Sequence, residues 1–139
     1  MLLVVDANIL FSALIKARNT RNILLFSGKK FLIPEYAIQE FKKHLPPLMK
    51  KTGLSEDEII KLLETLLEAS ETIIVPFEEF KYQRNPAKQM SPDPDDIAYI
   101  ALALHTECAI WSNDKELKKQ SKVRIITTKE LLEQIQKEK

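Results

Sequence analysis

Residues 1–8 read Met1-Leu2-Leu3-Val4-Val5-Asp6-Ala7-Asn8. Five apolar residues rich in β-formers predict a buried strand over Leu2–Val5. The run ends on a carboxylate, and acidic side chains are among those least often buried, since an unpaired one is costly there. Asp6 therefore either starts a helix at a half-open position or belongs to a site. The rest of the chain decides which.

Outward from that strand, short apolar runs alternate with helical patterns. Asn8 is expected to cap a helix to Lys16, and Thr20 to open another to Ser27, with Gly28 as its stop. Phe31–Ile33 reads as a strand, and Pro34 leads into a helix over Glu35–Leu45 that Pro46-Pro47 should end. Ser55 with Glu58 forms a capping box for a helix to Ala69. Ile73–Val75 is a third strand. Residues 76–94 hold four prolines and read as loop, with a helical turn near Phe80. A helix over Asp95–Thr106, a strand over Ala109–Trp111, a short helix over Lys115–Lys119, a strand over Arg124–Ile126 and a helix over Lys129–Lys137 complete the pattern. Strands separated by helices imply an α/β fold with a parallel sheet of about five strands covered on both faces. In such sheets ligands bind outside the carboxyl ends of the strands.

At 139 residues the chain is expected to form a single domain, 1–139, with a helical insertion at about 46–80. No apolar stretch approaches a membrane span, and the first residues lack a signal-peptide pattern. The single cysteine, Cys108, excludes an internal disulfide and reads as core filler, fitting a cytoplasmic location. Net charge is only +1, but it is unevenly spread. Residues 1–53 carry nine Lys/Arg against three Asp/Glu, whereas residues 54–80 carry one against eight. Two glycines in all exclude a Gly-rich phosphate cradle.

Several carboxylates follow strands. Asp6 ends the first, Asp114 comes after Ala109–Trp111, and Asp93, Asp95 and Asp96 lead into the apolar helix Ile97–Leu104. Glu40 lies at the core–water boundary of its helix. Each has a structural alternative: Asp93 as N-cap with Pro94 first in the helix, Asn113 with Glu116 as a capping box, Glu40 as a flank residue. Capping does not explain why so many should gather at one end of one sheet. Hard oxygen donors without a Cys or His pair suit Mg²⁺ or Mn²⁺ rather than zinc, and His44 and His105 read as surface or boundary residues.

Taken together, "VVDANILFSAL" (4–14), "IPEYAIQEF" (33–41), "DPDDIAYIALAL" (93–104) and "AIWSNDKEL" (109–117) resemble a PIN domain, a family of small metal-dependent ribonucleases. The resemblance implies a PIN-like three-layer α/β/α fold with Asp6, Glu40, Asp96 and Asp114 as catalytic metal ligands. It implies Asn8 and Ser112 as groups orienting those ligands, with Asp93 and Asp95 close enough to Asp96 to assist it. Lys16, Arg18, Arg21, Lys42 and Lys43 are candidates to hold an RNA backbone by charge. The implied activity is divalent-metal-dependent hydrolysis of single-stranded RNA. Because the family includes toxins of toxin–antitoxin pairs, an antitoxin protein and a homodimer are the implied partners. The apolar set Ile59, Ile60, Leu62, Leu63, Leu66 and Leu67 serves either the core or such a contact.

Two rivals remain at this point. One is a non-catalytic module that uses the same fold to bind RNA or protein. The other is an aspartyl-phosphate phosphatase, which generally needs a second aspartate where this chain has Asn8.

Overall fold

The computed structural model describes residues 1–15 and 17–139. Five strands form one sheet: β1 Leu2–Val5, β2 Lys30–Pro34, β3 Ile73–Val75, β4 Ala109–Trp111 and β5 Ile125–Ile126. Their order is β3-β2-β1-β4-β5, and every pair is parallel. The opening strand is thus central, hydrogen-bonded on both sides, and Leu3, Val4 and Val5 are fully buried. That burial is why the run is unbroken rather than alternating.

The helices are α1 Ala7–Ile15, α2 Arg18–Phe26, α3 Glu35–Lys43, α4 Leu45–Thr52, α5 Glu56–Ala69, α6 Arg84–Met90, α7 Ile97–Thr106 and α8 Thr128–Lys137. α7 packs on β1, β2 and β4, while α1 packs against α2, α3, α4 and α5. The sheet is therefore enclosed by helices, and the fold is α/β. None of the described helices is long and apolar enough to cross a membrane.

α7 is the central helix that its composition implies: Tyr99 through Ala103 are all buried. α5 starts with the expected reciprocal cap, Ser55 Oγ accepting from Glu58 N and Glu58 Oε1 from Ser55 N. Its residues Ile59, Leu63, Leu66 and Leu67 belong to the core, Ile60 is half-buried and Leu62 is exposed. Most of that apolar set is thus internal packing.

α3 ends at Lys43, before Pro46-Pro47 as expected, and both prolines fall in the first turn of a new helix, α4, where a missing N–H costs nothing; Gly53 closes that helix at φ +72°. Two expectations need correction. Residues 76–94 are not mainly loop. They contain 3₁₀ turns at Phe77–Glu79 and Lys81–Gln83 followed by α6, with Pro86 tolerated in its first turn. The segment Pro94–Asp96 is a 3₁₀ turn that leads into α7, and Lys115–Lys119 is likewise 3₁₀.

β3 is an edge strand, and two of its three residues are open to solvent: Ile73 is 59% exposed and Ile74 45%.

Candidate active site

Asp6 follows β1 directly. Its amide still donates to Trp111 O at 3.1 Å, so the residue stays tied to the β1–β4 pair. Its Oδ1 accepts from Asn8 N at 3.2 Å and its Oδ2 from Ser112 Oγ at 2.7 Å. Asp6, rather than Asn8, therefore caps the start of α1; Asn8 is the second residue of that helix and reaches Asp6 through its backbone. The exposed Asn8 side chain shares a small cavity with Ser12, Asn113 and Asp114. Asp6 itself is 8% exposed. Burial raises its pKa, opposed by the bonds from Ser112 and Asn8 and reinforced by the nearby Asp114 charge.

Ser112, fully buried after β4, joins the Asp6 carboxylate to the Asp114 backbone. Its hydroxyl donates to Asp6 and accepts from Asp114 N at 3.1 Å. Asp114 then caps the following 3₁₀ turn through Glu116 N, 2.9 Å from Oδ1. The expected Asn113–Glu116 capping box is not formed. Instead the Asn113 side chain pairs with Thr128, accepting from its N–H and donating to its Oγ1.

Asp93 is the N-cap read from its proline neighbour: its Oδ1 accepts from Asp95 N at 2.8 Å. Asp95 accepts from the Tyr36 hydroxyl at 2.8 Å. Both aspartates are exposed. Asp96 differs from them. Its Oδ2 is buried without a hydrogen-bond partner. Burial first, then the charges of Asp114, Asp93, Asp6 and Asp95, push its pKa up to about 7.

Glu40, half-buried on α3, accepts from the Tyr99 hydroxyl of α7. Burial raises its pKa, and the Asp6 and Asp95 charges add to this, while the Tyr99 bond and His44 pull it down. Tyr99 and Tyr36 were not singled out in the sequence. The available signal for Tyr99 was a lone hydroxyl inside the apolar run Ile97–Leu104. The two rings meet edge to face, with centroids 6.3 Å apart.

Asp6, Glu40, Asp96 and Asp114 thus act on one another electrostatically across the carboxyl ends of β1, β2 and β4. The four ion pairs among the described residues, Lys29–Glu138, Lys81–Glu78, Lys118–Glu130 and Lys119–Glu116, involve none of these carboxylates. Uncompensated like charges with one orphaned buried oxygen are the arrangement that a hard divalent cation relieves, and the all-oxygen donor set fits Mg²⁺ or Mn²⁺. Among the described residues, however, no three His, Cys, Asp or Glu side chains already stand as a closed ligand set. The carboxylates share a field without yet converging on a point.

Of the basic candidates, Arg18 and Arg21 are exposed on α2, and Lys42 and Lys43 are exposed in the last turn of α3. Lys16 lies outside the described residues. His44 is exposed and His105 half-buried, where it meets Tyr82.

A central parallel sheet with acidic groups at its carboxyl end defines a class of protein, and comparison identifies it. The PIN domain family model matches residues 4–136, so the chain belongs to the PIN domain family, whose members are generally nucleases that use divalent metals. Among solved structures, the crystal structure of PAE2754 from Pyrobaculum aerophilum is similar, with a TM-score of 0.65 at 18% identity. That match covers 97% of this chain and 89% of the other, and shows the shared fold. No curated relative matches.

Proposed function

We propose that this PIN domain is a Mg²⁺- or Mn²⁺-dependent endoribonuclease that hydrolyses phosphodiester bonds of single-stranded RNA. The observation that carries the reading is Asp96: a buried carboxylate oxygen without a partner, raised to a pKa of about 7 among like charges. Asp6, Glu40, Asp96 and Asp114 would hold the cation. When bound, the cation supplies Lewis-acid chemistry, offsetting charge on the phosphoryl oxygens and making water a stronger nucleophile.

The chain's own residues do the rest. Ser112 holds Asp6 in one rotamer and fixes the Asp114 backbone. Tyr99 restrains Glu40 from the opposite helix. Such outer hydrogen bonds decide how ligand oxygens are aimed. Asp93 and Asp95 raise the negative field at Asp96 and so favour a cation there. Arg18, Arg21, Lys42 and Lys43 would hold the RNA backbone by charge. In the same reading, exposed Leu62, Ile73 and Ile74 are surface that a homodimer partner or an antitoxin protein would cover.

The second reading is a non-catalytic module that binds RNA or protein. It is favoured by the lack of a closed ligand set among the described residues. Calorimetric titration of Mn²⁺ into the wild type and Asp6→Asn, with cleavage of labelled single-stranded RNA by both, separates the two. Metal binding and cleavage lost together in the variant support the nuclease. A folded wild type that takes up no Mn²⁺ and leaves RNA intact overturns it in favour of the module.

A further inference from the structure

A cleft of about 440 Å³ opens beside the carboxylates, between α3, α7 and the 77–95 segment. Its walls include Tyr36, Phe77, Arg84, Ile97 and Asp95. The volume lies within the roughly 300–1,000 Å³ of small-molecule sites. Three features of the lining are unusual for a surface depression. Phe77 leaves 38% of its surface open to solvent even though its backbone is anchored, its N–H donating to Glu35 Oε1 at 2.9 Å. Tyr36 is held in the wall by Asp95, through the 2.8 Å bond of its hydroxyl. Arg84 is exposed, makes no ion pair among the described residues, and brings a guanidinium to the mouth. Two aromatic rings, one of them tethered through its hydroxyl, and an uncommitted arginine are the elements that hold an unpaired base and its phosphate.

Asp95, which lines the cleft and holds Tyr36, is followed directly by Asp96, and its charge acts on both Asp96 and Glu40. A chain whose phosphate lies at Asp96 would present a neighbouring base to the cleft. The exposed carboxylates of Glu35 and Asp95 in the lining repel phosphate there, yet they can accept from the amino edge of a base.

We propose that this cleft is a nucleobase subsite: one unpaired base of the RNA lies against Phe77 and Tyr36, with Arg84 on the adjoining phosphate. The inference rests on the nuclease reading for its ligand, and extends it by making the enzyme select single strands. A paired base cannot leave its stack to enter without loss of pairing.

The test uses a single-stranded RNA octamer carrying 2-aminopurine, whose fluorescence falls on stacking, titrated with the full chain once with Mn²⁺ and once with EDTA. The wild type should quench the probe saturably. Phe77→Ala should weaken that binding by roughly 5- to 150-fold, the loss expected for one stacking contact. Arg84→Gln, at an exposed site, should weaken it independently and flatten its salt dependence. Melting curves of both variants check that the fold is kept. Absence of quenching in both media, or quenching and cleavage positions unchanged by Phe77→Ala, overturns the subsite. Quenching that depends on Phe77 in a protein that never cuts RNA upholds the cleft and refutes the nuclease reading instead.

Discussion

The Asp96 side chain sets stability against function, and Asp96→Asn measures the conflict. In the folded chain its pKa lies at about 7, against an ordinary 3.8. Three units correspond to about 4 kcal/mol at full value. The carboxyl is only partly enclosed, so we halve this for solvent screening, leaving about 2 kcal/mol. The folded pKa is raised, so the native state holds the proton more tightly than the unfolded chain does. Stability from this group is present below about pH 4 and is lost as pH rises towards 7. Asparagine has the same shape and no charge. Metal-free Asp96→Asn should therefore melt about 6 °C above the wild type near pH 8, for a chain of this length, and show little gain near pH 4. Differential scanning calorimetry in EDTA at both pH values gives the comparison. A variant that melts at or below the wild type near pH 8, or gains equally at both pH values, refutes the reasoning, because charge would not be the cause.

Other outcomes follow from the same contacts. Ser112→Ala removes one donor to Asp6 and one acceptor for Asp114 N, so it should cost about 1–3 kcal/mol in urea melts and weaken Mn²⁺ binding by roughly 10- to 100-fold in calorimetry. Tyr99→Phe takes the hydroxyl from Glu40 and should lower Mn²⁺ affinity over the same range of roughly 10- to 100-fold while pushing the Glu40 pKa further up, which carboxyl ¹³C NMR titration reads. Thr127→Ala removes the capping box of α8 and should destabilise the protein by about 1 kcal/mol with RNA cleavage unchanged.

What the sequence disclosed and what it withheld divide along physical lines. β1 and β4 were legible because a buried parallel strand must be apolar throughout, and that property sits in consecutive residues; β3, whose Ile73 and Ile74 are exposed, was legible from its run of β-branched residues alone. The Ser55–Glu58 cap was legible for the same reason: both partners lie within one turn. The prolines told only half. Pro46-Pro47 marked the end of α3, but that they also open α4 depends on Leu45 and Leu48 reaching the core, which is a tertiary fact. α6 was hidden for a related reason, since Pro86 falls in a first turn that needs no amide hydrogen bond. At the site, the positions of the carboxylates were legible from where strands end, but their tethers were not. The bonds Tyr99–Glu40 and Tyr36–Asp95 each span 59 residues, and Ser112–Asp6 spans 106. No local pattern encodes such separations.

The open side of β3 bears on how concentrated this protein can become. An edge strand offers a row of unpaired amides and carbonyls, and here Ile73 and Ile74 stand exposed beside it. Another chain could extend the sheet there and begin a fibre. The segment limits that hazard by its own brevity. It is three residues long, and Pro76, which has no N–H to donate, follows it at once. The molecule leaves apolar side chains open there for another surface to cover, on an edge too short for a foreign strand to extend.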